Sequence, residues 1–156
     1  MKAILGKFFR RGIHAADMKY LAKNSPIEEA SVPSEVCIAL AQHIGKPAVP
    51  LVAVGDEVKQ GQPIARADGF VSAPIFSSVS GKVKSIDFKT EERGTVGQYI
   101  TIENDGKYDF LPLEGEVDRN DAASVKQRII DAGIVGLGGA AFPTGVKLRP
   151  KRPLTH

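Results

Sequence analysis

A small all-β barrel or sandwich, followed by one short helix and a glycine-rich loop, is the fold class this sequence predicts. Short apolar stretches recur at close spacing, punctuated by glycine, between residues 47 and 104. Glycine (16) and proline (10) make up about a sixth of the 156 residues, which suits strands and turns better than a helical bundle. A helical period shows clearly only once, over 120–133. Apolar residues, at 42%, suffice for a core, so the chain is not disordered throughout.

Residues 1–46 read as an extended arm. Pro26 and Pro33 interrupt them, Ser, Asn and Glu fill the gaps, and one short edge strand is expected near Val36–Leu40. A loose terminal tail is the alternative. Residues 47–104 read as the β module. Val49, Leu51, Ala53 and Val54 lead into the turn pair Gly55-Asp56, then Val58 and Ile64 follow with Gly61 between them. Val79, Gly81, Val83, Ile86 and Phe88 form a second set. Gly94 and Gly97 mark a turn, and Tyr99, Ile100 and Ile102 close with a strand. Val52, Val54, Val58, Ile64, Val83, Ile86 and Ile100 are the expected core.

Val52-Ala-Val-Gly-Asp-Glu-Val-Lys-Gln-Gly-Gln-Pro-Ile64 resembles the first half of biotinyl and lipoyl carrier domains, and Val79-Ser-Gly-Lys-Val-Lys-Ser-Ile86 resembles the second half. Glycines 55, 61 and 81 would supply the backbone angles of the corners. An unrelated small barrel is the competing reading. A carrier holds its prosthetic arm on one exposed Lys at a hairpin tip. Here the tip falls in Ala67-Asp-Gly-Phe-Val-Ser-Ala-Pro74, which contains no Lys, and Lys59 and Lys82 flank corners instead. A docking or packing role is therefore expected in place of a swinging arm.

Residues 105–120 are acidic and turn-rich and read as a linker. Residues 121–156 begin with the helix, whose expected apolar face is Ala122, Val125, Ile129 and Ala132. Asn120 or Asp121 can cap its start, and Gly133 stands where a C-terminal cap would. Then comes Gly133-Ile-Val-Gly-Leu-Gly-Gly-Ala-Ala-Phe-Pro-Thr-Gly-Val-Lys147. Its Gly136-x-Gly138-x-x-Ala141 spells a dinucleotide fingerprint, but a helix precedes it and Pro143 follows at once, where that motif needs a strand before and an unbroken helix after. No Gly-Lys-[Ser/Thr] follows either, so it is not a P-loop. What remains is a bare loop with free N–H groups, suited to a phosphate or the edge of a ring system. On spacing alone, a structural loop and a ligand loop both stay open.

Composition removes several functions. The net charge of +3 is small and partly gathered at Arg149, Lys151 and Arg152, and no basic stripe or aromatic platform for nucleic acid is present. Cys37 is the only cysteine, which excludes an internal disulfide framework, a Cys-ligated zinc site and a four-cysteine cluster within these residues. A buried, inert thiol is expected there, between Val36 and Ile38. No apolar run approaches the roughly 20 residues that span a bilayer, and the start shows no signal-peptide pattern. His14 and His43 have no carboxylate or Cys at ligand spacing, and His43 is expected to orient a loop by hydrogen bonds. Ser77, Ser78 and Ser80 lack a nucleophile-elbow pattern and read as turn and strand residues.

The chain resembles the N-terminal portion of the RnfC family, the C subunits of Rnf electron-transport complexes. The matching stretches are Gly12-Ile-His14, Gln42-His-Ile-Gly-Lys-Pro47, Val54-Gly-Asp-Glu-Val58, Gly69-Phe-Val-Ser-Ala-Pro74, Ser77-Ser-Val-Ser-Gly81 and Gly136-Leu-Gly-Gly-Ala-Ala-Phe-Pro-Thr-Gly-Val-Lys-Leu148. The last is also similar to the flavin loop of the NADH-binding subunit of respiratory complex I. The resemblance implies a lipoyl-like barrel-sandwich module followed by the start of a truncated Rossmann-like FMN/NADH domain. It implies Gly136, Gly138, Gly139, Ala140 and Lys147 as cofactor-binding residues, with no catalytic residue or metal ligand in these residues. The reaction implied is electron transfer between ferredoxin and NAD, coupled to ion transport. The partners are other subunits of a membrane electron-transport complex, at the cytoplasmic face of the bacterial membrane.

The resemblance also places FMN and NADH on the full-length subunit and its 4Fe-4S clusters in a part beyond this sequence, so the chain is expected to be a fragment, inactive alone and binding none of these. Ala141 stands where the family's loop has Gly, Ala15 and Ala16 replace its prolines after Gly-Ile-His, and the ending from Arg149 to His156 drifts from its pattern. The alternative is a non-catalytic docking or assembly module of another redox complex.

Overall fold

The structure is a computed structural model that describes residues 18–90 and 94–149. The chain divides into two compact units, Met1–Ser31 and Val32–His156. Among its described residues, the first unit carries one 3-10 turn, Lys19–Leu21, with no buried side chain. The second holds the strands β1 (Glu35–Ala39), β2 (Val49–Pro50), β3 (Glu57–Val58), β4 (Pro63–Arg66), β5 (Ile75–Phe76), β6 (Gly81–Thr90) and β7 (Val96–Asn104), then the helices α1 (Ala122–Asp131) and α2 (Thr144–Lys147).

The strands form two antiparallel sheets, ordered β1-β7-β6-β3 and β2-β4-β5. Both contribute to one core. Val58, Val83, Ile100 and Ile102 come from the first sheet, Ile64, Ala65 and Ile75 from the second, and Leu40, Ala48 and Val79 from the connections. The fold is thus mainly β, with the sheets curled around a shared interior. The strand expected near Val36–Leu40 is β1, and it lies at a sheet edge.

Two irregularities explain how this sequence fills the core. Val83 and Ile86 are three apart, so a regular strand would send them to opposite faces. The register shifts between Val83 and Ser85, making Lys84 the extra residue of a bulge. Both apolar side chains then reach the core, and Lys84 forms a 2.7 Å ion pair with Glu35 instead. A second shift, between Pro63 and Ala65, lets the consecutive Ile64 and Ala65 both be buried.

Val58, Ile64, Val83 and Ile100 are buried as expected, and Val52 and Ile86 pack partly against them. Val54 is a correction: it is 62% exposed. The Ala53 N–H donates to Asp56 Oδ2 at 2.8 Å and the Asp56 N–H to the Ala53 carbonyl, so Val54 stands at the outer corner of a tight turn. Glycines 55, 61 and 81 all have positive φ, at 98°, 81° and 150°. Gly97 is not part of the turn. The β6–β7 ladder runs out to Thr90 and Val96, so Gly97 already lies inside β7, opposite Lys89.

Cys37 is also corrected. It is exposed, because its neighbours Val36 and Ile38 turn toward the core and strand alternation sends the thiol outward. Lys89 Nζ donates to its sulfur at 3.0 Å, and that contact raises the Lys89 pKa.

Residues 105–120 are fastened through their middle, at 109–115. The Gln60 N–H donates to the Asp109 carbonyl and the Leu111 N–H to the Gln60 carbonyl. The Arg128 guanidinium, on α1, donates to the carbonyls of Leu113, Glu114 and Gly115. Asp121 caps α1, accepting from the N–H groups of Ala123 and Ser124. Val125, Ile129 and Ala132 are half-buried, whereas Ala122, in the first turn, is exposed.

Candidate functional site

The glycine loop grows out of the end of α1. Gly133 has φ 62° and donates to the Ile130 carbonyl, while the Ile134 N–H reaches the Ile129 carbonyl. This pair of bonds is a Schellman cap, which ends the helix and sends the chain back over the β module. The seat is tight. A Cβ on Gly133 would lie 2.5 Å from the Pro74 carbonyl oxygen. On α2, Gly145 is buried against the Ile130 side chain, and a methyl there would overlap it.

The loop itself is a narrow hairpin. Val135 bridges Pro143, the Gly136 N–H donates to the Phe142 carbonyl at 2.9 Å and the Thr144 N–H to the Ile134 carbonyl. The Ala141 N–H turns inward to the Gly138 carbonyl at 2.9 Å. Ala141 holds φ 43°, a left-handed conformation that costs a non-glycine residue about 1–2 kcal/mol. Its methyl is therefore tolerated at a position whose backbone suits glycine.

Leu137, Gly138, Gly139 and Ala140 form the exposed crest. A Cβ on Gly138 or Gly139 would meet nothing within 4 Å, and neither has a positive φ. No contact or backbone angle among the described residues demands glycine there. Nor does any described acceptor take the N–H groups of Gly138, Gly139 or Ala140. Lys147, at the end of α2, folds back on the Gly136–Phe142 pair from which the crest rises. Its Nζ lies 5.9 Å from the Phe142 ring centroid and 3.1 Å from where a Cβ on Gly136 would stand, and it pairs with no carboxylate among the described residues. The arrangement combines free backbone donors, a cation and an open approach, which suits an anionic or flat electron-rich ligand. Sequence reasoning missed Phe142, which holds the Lys147 ammonium; an aromatic five residues before a Lys was the available signal.

Opposite the loop stands the hairpin connection 67–74 between β4 and β5. It is not a free tip, since segment 42–47 binds it. The Lys46 N–H donates to the Val71 carbonyl, Ser72 Oγ to the Lys46 carbonyl and the Asp68 N–H to Ser72 Oγ. Lys46 Nζ and Asp68 form a 2.7 Å ion pair, and that hydrogen bond lowers the Asp68 pKa. His43 Nε2 accepts from the Ala73 N–H at 3.0 Å, and its Nδ1 lies 3.1 Å from the Ile44 carbonyl, an arrangement that a neutral ring protonated on Nδ1 satisfies in full. The buried Ser77 and Ser80 are structural. Ser77 Oγ bonds the Val79 carbonyl and Ser80 Oγ the Asp105 carboxylate. His14 lies outside the described residues. No group of three or more His, Cys, Asp or Glu side chains among the described residues is placed to hold a metal.

Bound by backbone contacts and free of lysine, the hairpin tip gives a ligase no amine to modify. Coexpression with biotin and lipoate ligases should leave the intact mass unchanged by mass spectrometry, and an adduct on any Lys would contradict the docking role.

Two antiparallel sheets sharing one core, with a lipoyl-type corner pattern and an added glycine loop, define a barrel-sandwich protein. A family profile described as the RnfC barrel sandwich hybrid domain matches residues 7–107, and the chain belongs to this family. It is 49% identical over 150 residues to the C subunit of the proton-translocating ferredoxin:NAD(+) oxidoreductase complex of Clostridium ljungdahlii, covering 92% of this chain and 32% of that protein. It is 39% identical to the C subunit of the Na(+)-translocating ferredoxin:NAD(+) oxidoreductase complex of Acetobacterium woodii, over 90% of this chain and 32% of the relative. It is 37% identical to the C subunit of the ion-translocating oxidoreductase complex of Klebsiella pneumoniae, over 90% and 19%. The chain thus spans a third or less of the length of these curated relatives.

Proposed function

We propose that this chain serves in the peripheral RnfC-type subunit of an ion-translocating ferredoxin:NAD oxidoreductase, as scaffold and as one wall of a flavin site. The family membership and the names of the relatives support the assignment. The observation that carries the site is the crest at Gly138–Ala140, with open glycines, unclaimed N–H groups and Lys147 alongside. In this reading residues 47–104 are the lipoyl-like module, with residues 1–46 an arm that adds β1 to its sheet. Residues 105–120 are a linker and 121–156 open a Rossmann-like FMN/NADH domain.

The residues fit FMN. Gly138, Gly139 and Ala140 would present N–H groups, Gly138 and Gly139 an unobstructed surface, and Lys147 would neutralise phosphate charge or lie at the ring, while Gly136, whose N–H is bonded to the Phe142 carbonyl, would let Lys147 approach closely. Bound there, FMN would supply the conversion between hydride transfer from NADH and single-electron transfer to iron–sulfur carriers. The chain's own part is to bind and orient. The other partners are membrane subunits of the complex, at its cytoplasmic face. No described helix is long and apolar enough to cross a membrane.

One wall is not a pocket. Charge-assisted hydrogen bonds contribute roughly 1.5–3 kcal/mol each, against an association cost of about 4–15 kcal/mol. The 156-residue chain should therefore show no FMN binding at micromolar concentration. A chimera in which it replaces the matching segment of the Clostridium relative should bind FMN. In that chimera Lys147→Ala should weaken binding roughly 10- to 100-fold, read by flavin fluorescence. Tight binding by the short chain would refute the one-wall reading, and unchanged affinity in Lys147→Ala would remove Lys147 from the site.

A further inference from the structure

We infer that segment 42–47 is a positioning strap that sets the conformation of the glycine loop, with His43 as its key residue. The inference rests on the reading of that loop as a flavin loop.

The loop crest is tied to the β module at one described hydrogen bond, from the Ile44 N–H to the Ala140 carbonyl, at 2.9 Å. A trans peptide points its C=O and N–H in opposite directions. Turning the Ala140 carbonyl toward Ile44 therefore turns the Ala141 N–H the other way, into its bond with the Gly138 carbonyl. One contact thus orients the peptide that closes the crest, at the residue with the unfavourable φ. It leaves the N–H groups of Gly139 and Ala140 free for a ligand.

Ile44 is in turn held by its neighbours. His43 bonds the Ala73 N–H through Nε2 and the Ile44 carbonyl through Nδ1. The same imidazole shares a small cleft with Gly133 and Val135, where the loop begins. Gly45 has φ 109°, and a Cβ there would overlap the Val71 carbonyl, so the strap lies flat on the hairpin. Lys46 completes the fastening through Val71, Ser72 and Asp68. In a carrier domain such a hairpin would present a lysine. Here the same place is a platform for the loop.

His43 touches neither the crest nor any group a flavin would meet, so it acts through Ile44. His43→Ala removes both of its bonds. His43→Gln keeps a side-chain acceptor and donor and should rescue. Amide hydrogen exchange on the 156-residue chain reads the coupling. In the unmodified chain, Ile44, Ala73 and Ala141 should exchange with protection within about threefold of each other, well below Ile100. In His43→Ala their exchange should rise at least tenfold with Ile100 unchanged, and His43→Gln should restore it. In the Clostridium chimera, His43→Ala should weaken FMN binding about tenfold and alter flavin fluorescence, again with rescue by Gln.

Unequal protection in the unmodified chain would overturn the strap, and that result does not depend on the variant folding. Looser amides with an unchanged flavin affinity and spectrum would make His43 merely structural and overturn the positioning role. If neither His43→Ala nor Lys147→Ala changes flavin binding, the flavin reading itself fails. If only Lys147→Ala does, the flavin reading stands and the strap inference falls.

Discussion

Val83→Asp is expected to abolish the cooperative unfolding transition of the β module. Val83 is 1% exposed and sits where β6 meets β7, packed among Ile100, Ile102 and Val58. No basic side chain is among the residues of that core, so the carboxylate would be buried without a partner or forced to stay protonated. Uncompensated buried charges cost about 3–5 kcal/mol. Domains of this size have only about 5–15 kcal/mol of stability in total. Circular dichroism should show a lost or strongly lowered melting transition. Val54→Asp makes the same chemical change at the exposed corner of a turn and should stay within about 0.5 kcal/mol of the parent. Equal behaviour of the two variants would show that the core has been drawn wrongly.

Gly139→Val should do the opposite, sparing the fold and removing the ligand site. A Cβ at Gly139 meets nothing and its φ does not require glycine, so melting should shift by no more than about 3 °C. On the crest, however, a branched side chain would stand between the free N–H groups and any ring or phosphate approaching them. In the Clostridium chimera FMN affinity should fall at least tenfold, about 1.4 kcal/mol or more. A variant that melts early would instead place Gly139 in an unseen structural role. One that melts normally and binds FMN normally would show that the crest is not the contact surface.

The β module was legible because its signals are local. Gly55-Asp56 names a turn, and Val58 and Ile100 keep the strand period that buries them. The errors arose where neighbouring residue types, rather than strand alternation and pairing, suggested the environment. Val54 continues an apolar run but sits on a turn corner fixed by the Asp56 side chain. Cys37 lies between two inward residues, and alternation at an edge strand sends it out. Gly97 looks like turn chemistry but is held in a ladder that only pairing across the hairpin defines.

The candidate site was legible as a set of residues and not as an arrangement. Gly136 to Lys147 is visible as a motif, but that Lys147 returns over Phe142 depends on the single turn of α2. The strap left a weaker trace. Gln42-His-Ile-Gly-Lys-Pro47 stands almost a hundred residues before the crest it holds. No periodicity links Ile44 to Ala140, because a backbone N–H carries no side-chain signature.

FMN titration of the Clostridium chimera, followed by flavin fluorescence, tests the flavin-wall role most directly. Saturable binding at micromolar or lower concentration is predicted for the chimera, absent from the 156-residue chain and weakened by Lys147→Ala and Gly139→Val. Saturable binding that neither substitution alters would contradict that role, because the flavin would then lie away from the glycine loop.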